Sequence, residues 1–162
     1  MEIFHKPRLE FQDFAKVAPD ANAALLKPSG AAQASGLDRS LLELVKLRAS
    51  QINGCGFCVS FHVDGALRLG VPAEKLHMLA VWREASVFDT RERAALAWTE
   101  ALTMIAGGVS DEIYATACKA FSDSELALLS STIVAINAWN RLGVAYRFTP
   151  PALAAPALRA AS

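Results

Sequence analysis

Ser50-Gln51-Ile52-Asn53-Gly54-Cys55-Gly56-Phe57-Cys58-Val59-Ser60-Phe61-His62 holds the end of one helical pattern and the start of the next, with Gly54 between them. At about 100° of rotation per residue, Cys55 and Cys58 fall one turn apart, and His62 falls one turn further along the same side. Upstream, Leu41, Leu44, Val45 and Ile52 recur at helical spacing behind Asp38, a residue type that caps helix starts. Downstream, the second helix is expected from about Cys55 to Leu69. Gly70 supplies its left-handed stop, and Pro72 opens a short helix to about Trp82.

The same signals recur to the end of the chain. Asp89-Thr90-Arg91-Glu92 predicts a capped helix to Ala106, ended by Gly107-Gly108, and Ser110 predicts another to about Phe121. Ser122-Asp123-Ser124-Glu125 is a capping box for a helix reaching Arg147, before Pro150-Pro151 forbids continuation. Sustained apolar–polar alternation is missing, so the fold expected is all-α, a single-domain helical bundle. Residues 1–36 read as an N-terminal arm with two short helices, Leu9 to Val17 and Asp20 to Leu26, broken by Pro19 and Pro28 and placed to pack on a neighbour. The core then spans 37–149, and 150–162 is an Ala/Pro tail expected to be mobile.

With 162 residues, 53% of them hydrophobic and 20% charged, the chain is long enough for one well-buried domain. A mean hydropathy of +0.27 is high for such a chain, which points to a homo-oligomer with apolar surface buried between subunits. Sixteen basic residues balance sixteen acidic ones without a basic block, so neither nucleic acid nor an anionic membrane is an expected partner. Leu126 to Trp139, the longest weakly polar stretch, is shorter than the roughly 20 apolar residues of a spanning helix. Met1 to Pro7 lacks an apolar signal core, so a cytoplasmic or organelle-matrix setting is expected.

In a reducing compartment, three cysteines are not a disulfide framework, and a CxxC calls for catalytic, redox-sensing or metal-binding chemistry. A thiol of ordinary pKa near 8.5 is only about 3% thiolate at pH 7, and a pKa of about 6.5 would raise this to roughly 75%. Free backbone N–H groups at the helix start, the positive end of its dipole and His62 all favour the anion. Cys58, nearer His62, is then the attacking sulfur, and Cys55 can close a disulfide with it.

Three other readings of the motif stay open. The cysteines can be two small buried hydrophobes. Cys55, Cys58 and His62 can converge on zinc, although a structural site needs a fourth ligand, for which His77, His5 and Cys118 are the spare candidates. A thioredoxin-type assignment lacks its βαβ setting. Elsewhere, Cys118 reads as a core residue and His77 as a surface one. Glu43, on a polar stripe with Lys46, Ser50 and Asn53, reads on pattern alone as an exposed carboxylate paired with Arg39 or Lys46. Asn137 and Asn140, beside Trp139, read as a hydrogen-bonded packing device in preference to a substrate contact.

Glu43, then Ile52-Asn53-Gly54-Cys55-Gly56-Phe57-Cys58, then His62, closely resembles the core of the alkylhydroperoxidase D-like group within the carboxymuconolactone decarboxylase superfamily. The resemblance runs from about Leu37 to Arg147 and takes in Leu69-Gly70-Val71-Pro72, Arg91 to Trp98 and Ile136 to Arg141. It implies an all-helical trimer, dimer or trimer of dimers that reduces peroxides with a CxxC dithiol. By position, Cys58 resembles the attacking thiol, Cys55 the resolving thiol, His62 the imidazole of a proton relay and Glu43 its carboxylate. No bound cofactor is expected. Reducing power would come from an external dithiol or a lipoyl-type protein. Phe57 departs from the pattern, since well-studied peroxidase members carry a second histidine there. A lactone decarboxylase-like lyase, which would have no use for a dithiol, and a redox-sensing helical interaction module without turnover are the alternative functions.

Overall fold

In the computed structural model, residues 6–151 are described, and among them are eight α-helices and no strand. The helices are α1 (Phe11–Val17), α2 (Pro19–Ala34), α3 (Arg39–Ile52), α4 (Gly56–Arg68), α5 (Ala73–Met78), α6 (Thr90–Thr103), α7 (Asp111–Ala120) and α8 (Asp123–Tyr146). Two 3₁₀ turns, Leu79–Val81 and Ile105–Gly107, follow α5 and α6.

The expected caps set the helix starts. Asp38 accepts the Ser40 N–H at 2.7 Å, and Ser110 accepts from Ile113. Asp89 with Glu92 and Ser122 with Glu125 form complete capping boxes, satisfying end N–H groups that the helices cannot pair internally. Gly54 takes φ +67, a left-handed turn that costs an L-residue with a Cβ about 1–2 kcal/mol and that folds α4 back along α3.

Helix α3 is the centre of the bundle. It packs against α4, α6 and α8, and every residue from Leu41 to Leu47 is buried. On one side, Leu42 and Val45 meet Ala95, Leu129 and Ile133; on the other, Leu44 and Leu47 meet Leu79, Trp82 and Leu96. Each fully buried leucine contributes about 1.5–3 kcal/mol relative to its exposed state. The pattern of α3 predicts one apolar side and one polar side. Because partners surround the helix, its polar stripe is buried as well.

One feature of the first 36 residues differs from expectation. Helix α2 does not stop before Pro28 but continues to Ala34, with Pro28 inside it. Pro28 removes the N–H that would meet the Ala24 carbonyl, and Ala24 is exposed, where solvent can satisfy it. The segment also packs within its own chain, α2 lying along α8 and Phe14 of α1 stacking edge-on to Trp139. Beyond residue 151, the Ala/Pro tail lies outside the described residues.

On the far side of α3, Glu100 of α6 is a buried tie point. It accepts from Trp82 Nε1 at 2.9 Å, Arg48 Nε at 2.8 Å and Arg83 at 2.5 Å, joining α3, α6 and the turn after α5. Among the described residues, no helix is long and apolar enough to cross a membrane.

Candidate active site

Cys55 is the N-cap of α4, its Sγ accepting the Cys58 backbone N–H at 3.3 Å. Both cysteines are buried free thiols, packed with Ala49 of α3 and Ile136 of α8. The turn at Gly54 thus brings the dithiol to the place where α3, α4 and α8 meet. On α8, Gly143 makes room for it, since a Cβ there would lie 2.7 Å from the Cys55 Sγ and 3.7 Å from the Cys58 Sγ.

One turn beyond Cys58, the Nδ1 of His62 lies 2.8 Å from Oε2 of Glu43, and the other Glu43 oxygen accepts from Lys46. All three side chains are buried. Lys46 is thus the partner of Glu43 as expected, but the exposure expected on pattern alone is overturned, because α4 covers that face of α3. Burial by itself would raise the Glu43 carboxyl, yet the hydrogen bonds and charges of His62 and Lys46 outweigh it and hold it below the usual range. Burial also depresses the His62 imidazole, against the opposing pull of Glu43. At neutral pH the ring is therefore uncharged. With Nδ1–H donated to Glu43, Nε2 keeps its lone pair, and the imidazole is a proton acceptor rather than a cationic partner.

Cys58, His62, Glu43 and Lys46 line one cavity of about 230 Å³, and Cys55 lies behind them outside its lining. The other walls are largely aromatic: Phe11, Phe57, Phe61, Trp139 and Phe148. Phe57, at the position where the resemblance leads one to look for histidine, stacks among Phe11, Phe148 and Phe61, with ring centroids 5.1, 5.5 and 6.2 Å away. It therefore supplies wall rather than proton chemistry.

The two sulfurs divide access and acidity between them. Cys55 is pulled down to about 7, chiefly because the Cys58 thiol donates to it; burial opposes this, and the Cys58 N–H and the Asn140 side chain assist. Cys58 is pushed up, first by holding that donor role and then by burial. The helix-start N–H expected to favour a Cys58 anion is spent on Cys55. A pair sharing one readily lost proton thus keeps its resting charge mostly on the inner sulfur, while the outer sulfur faces the cavity.

A buried polar network that the sequence indicates only in outline supports this wall. Asn53 donates to Oδ1 of both Asn137 and Asn140 at 2.9 Å, and Asn140 Nδ2 donates to Ser50 Oγ at 2.9 Å. By contrast, the spare zinc ligands do not gather here. Cys118 is exposed on α7, contrary to the core position expected, because α7 turns Ala117 inward instead. His77 is exposed on α5, and His5 lies outside the described residues. Among the described residues, no group of three or more His, Cys, Asp or Glu is placed to share a metal ion.

A model of the carboxymuconolactone decarboxylase family matches residues 19–101, from α2 through most of α6. The chain belongs to the carboxymuconolactone decarboxylase family. YdfG of Bacillus subtilis strain 168, an uncharacterized protein, is 30% identical over 131 residues, 80% of this chain and 89% of YdfG. A crystal structure from Agrobacterium tumefaciens, of a protein of unknown function proposed to be the antioxidant defence protein AhpD, is 39% identical. It covers 91% of this chain and 99% of its own, with a TM-score of 0.84. The chain is thus an AhpD-like member of the carboxymuconolactone decarboxylase family. The debrominase Bmp8 shares the fold, with a TM-score of 0.76 at 20% identity over 85% of this chain and 75% of its own. In this family member, α8 lies beyond the matched segment, yet it supplies Ile136 and Gly143 to the surroundings of the dithiol and Asn140 to the network behind it.

Proposed function

We propose that the protein is a thiol peroxidase in which Cys58 attacks a peroxide, Cys55 resolves the product and His62 with Glu43 handles the proton. The single observation that carries this is the shared cavity, which places one sulfur of a CxxC pair beside a neutral imidazole already hydrogen-bonded to a carboxylate. The resting charge favours Cys55, but a proton can cross the hydrogen bond between the sulfurs, and only the Cys58 thiolate faces the substrate. Attack on the peroxide forms an S–O bond and breaks the O–O bond; the departing alkoxide takes a proton to leave as alcohol. Cys55 then attacks the Cys58 sulfenic acid, forming the disulfide and releasing water. An external dithiol or a lipoyl-type protein returns the two electrons.

Peroxide consumption with a small dithiol donor tests this. Wild-type protein should turn over continuously. Cys58→Ser should lose turnover, and Cys55→Ser, with the donor left out, should consume one equivalent and stop as a sulfenic acid trappable by dimedone. Equal rates in wild type and Cys58→Ser would sink the proposal.

The aromatic cavity walls favour one second reading, two-electron reduction of a halogenated aromatic ring by the same dithiol. Bmp8 has been crystallised as a cysteine-to-alanine variant with 2,3,4-tribromopyrrole. Dithiol-dependent bromide release from that compound, without peroxide turnover, would favour this reading over the first.

A further inference from the structure

Lys46 is only 6% exposed, and its place is the floor of the cavity. Its Nζ donates to one oxygen of Glu43, whose other oxygen meets His62, and all three line the cavity together with Cys58. These buried side chains form the inner end, whereas Leu26 and Phe61, 51% and 52% exposed, mark the mouth. An ammonium carries three donor protons, and the pair with Glu43 engages one of them. Among the described residues, no second hydrogen bond reaches the Lys46 ammonium, and Ser29 and Gln33, the uncharged oxygen-bearing side chains of the lining, are not joined to it. Lys75, the comparable lysine paired with Glu92, lays its charge over the Phe88 ring at 5.4 Å, but no ring is so placed over Lys46 among the described residues. Nor do the walls hold another lysine or arginine. A cation taken out of water thus keeps donors to spare, beside a space that an acceptor can enter.

We propose that the cavity floor is a binding site for a negatively charged oxygen on an apolar body, with the Lys46 ammonium as its donor. The aromatic walls hold the body of such a ligand, and the buried ammonium takes its charged end by a bond stronger there than in water. In the peroxide reaction that oxygen is the departing one. As the Cys58 sulfur forms its S–O bond, the electron pair of the broken O–O bond leaves on the alkoxide oxygen, where Lys46 meets the charge. The proton that His62 took from Cys58 then completes the alcohol, so Lys46 ends the step still an ammonium. Glu43 serves both neighbours: it orients the imidazole through one oxygen and holds the ammonium through the other.

The use of this site in catalysis rests on the peroxidase reading, but its test needs no peroxide. Benzoate and benzyl alcohol, which share a ring and differ in charge, are titrated into the protein by calorimetry. At about pH 6 a carboxylate is ionised, while the dithiol, with Cys55 at about 7, mostly is not. Wild type should bind benzoate more tightly than benzyl alcohol. Lys46→Met should weaken benzoate about tenfold or more and leave benzyl alcohol unchanged, and Lys46→Arg should restore most of the benzoate binding. Glu43→Gln, which frees Lys46 of its counter-charge, should tighten benzoate; a lysine present only to neutralise Glu43 would give no such gain. Where Lys46→Met does not fold or loses both probes together, Glu43→Gln decides alone. No preference for benzoate in wild type, equal benzoate binding in Lys46→Met, or unchanged or weaker binding in Glu43→Gln overturns the proposal. The expected binding pattern without peroxide turnover would overturn the peroxidase reading and leave this site standing.

Discussion

His62 Nδ1 sits 2.8 Å from Glu43 Oε2 across the α3–α4 interface, so a carboxylate from one helix sets the tautomer of the imidazole on the next. Glu43→Gln keeps the size of the side chain and removes its charge. Peroxide turnover should fall by about a hundredfold, the range of a lost acid–base contribution. Helix content should be retained by circular dichroism, and an unchanged rate would remove Glu43 from the relay.

Acid should destabilise the fold in two stages. His62 is depressed below its usual 6.5 in the folded state, so its contribution is complete above about 6.5 and is lost as pH falls toward its folded pKa. Glu43 is depressed below its usual 4.5, so the stability it adds is present above that value and is lost as pH falls through its lower folded pKa. Melting temperatures measured downward from neutral pH should begin to drop near the first value and steepen below the second. In His62→Phe the first drop should disappear.

Alkylation of the wild-type dithiol should rise with pH through about 7, where Cys55 loses its proton. A small reagent should label faster than a bulky charged one, because the cavity walls screen Cys58. Mass mapping of the first adduct tells which sulfur is reached. A first adduct confined to Cys55 would contradict the division of access described above.

Gly143→Ala should lower stability by about 1–3 kcal/mol, the usual cost of forcing a methyl into a filled core. The added carbon would fall 2.7 Å from the Cys55 sulfur, so the dithiol should also become easier to oxidise or harder, with a measurable change in reduction potential. A variant matching wild type in both melting temperature and potential would show that α8 can retreat freely.

Leu129→Ala removes a fully buried side chain between α3 and α8 and should cost about 2–5 kcal/mol in chemical denaturation. Ser122→Ala, at the start of the same helix, should cost about 1 kcal/mol by removing the capping box. A reversed order would place the weight of α8 stability in its cap rather than its packing.

What was legible in the chain follows the range of each interaction. Asp38, Asp89 and Ser122 act on N–H groups within three residues, so their helix starts can be read from the sequence directly. The all-α architecture follows from those signals together with the 3.6-residue period. The placement of Cys58 and His62 one turn apart on α4, both facing the same cavity, is equally local. Burial of Glu43 and Lys46 is not, because it depends on α4 closing over α3, and their pattern resembles an ordinary solvated stripe. Cys118 shows the converse: apolar neighbours in sequence do not bury a residue on a side of α7 that no other described helix covers. Pro28 reads as a helix stop, whereas packing of α2 on α8 carries the helix through it. The hydrogen bonds of Asn140 to Asn53 and Ser50 join residues more than eighty positions apart and become visible only once α8 is laid across α3. The pair of asparagines beside Trp139 was their one trace in the sequence.

Because Cys55 and Cys58 share a single turn at the start of α4, a bond between them would close one of the shortest loops a chain can form. Such a loop removes little freedom from the unfolded chain, since cross-link stabilisation grows with loop length. Reduced and oxidised protein would then stand at nearly the same height above the unfolded state. Repeated passage between the two states, which the proposed peroxidase cycle requires, would leave the surrounding scaffold of α3, α6 and α8 little disturbed.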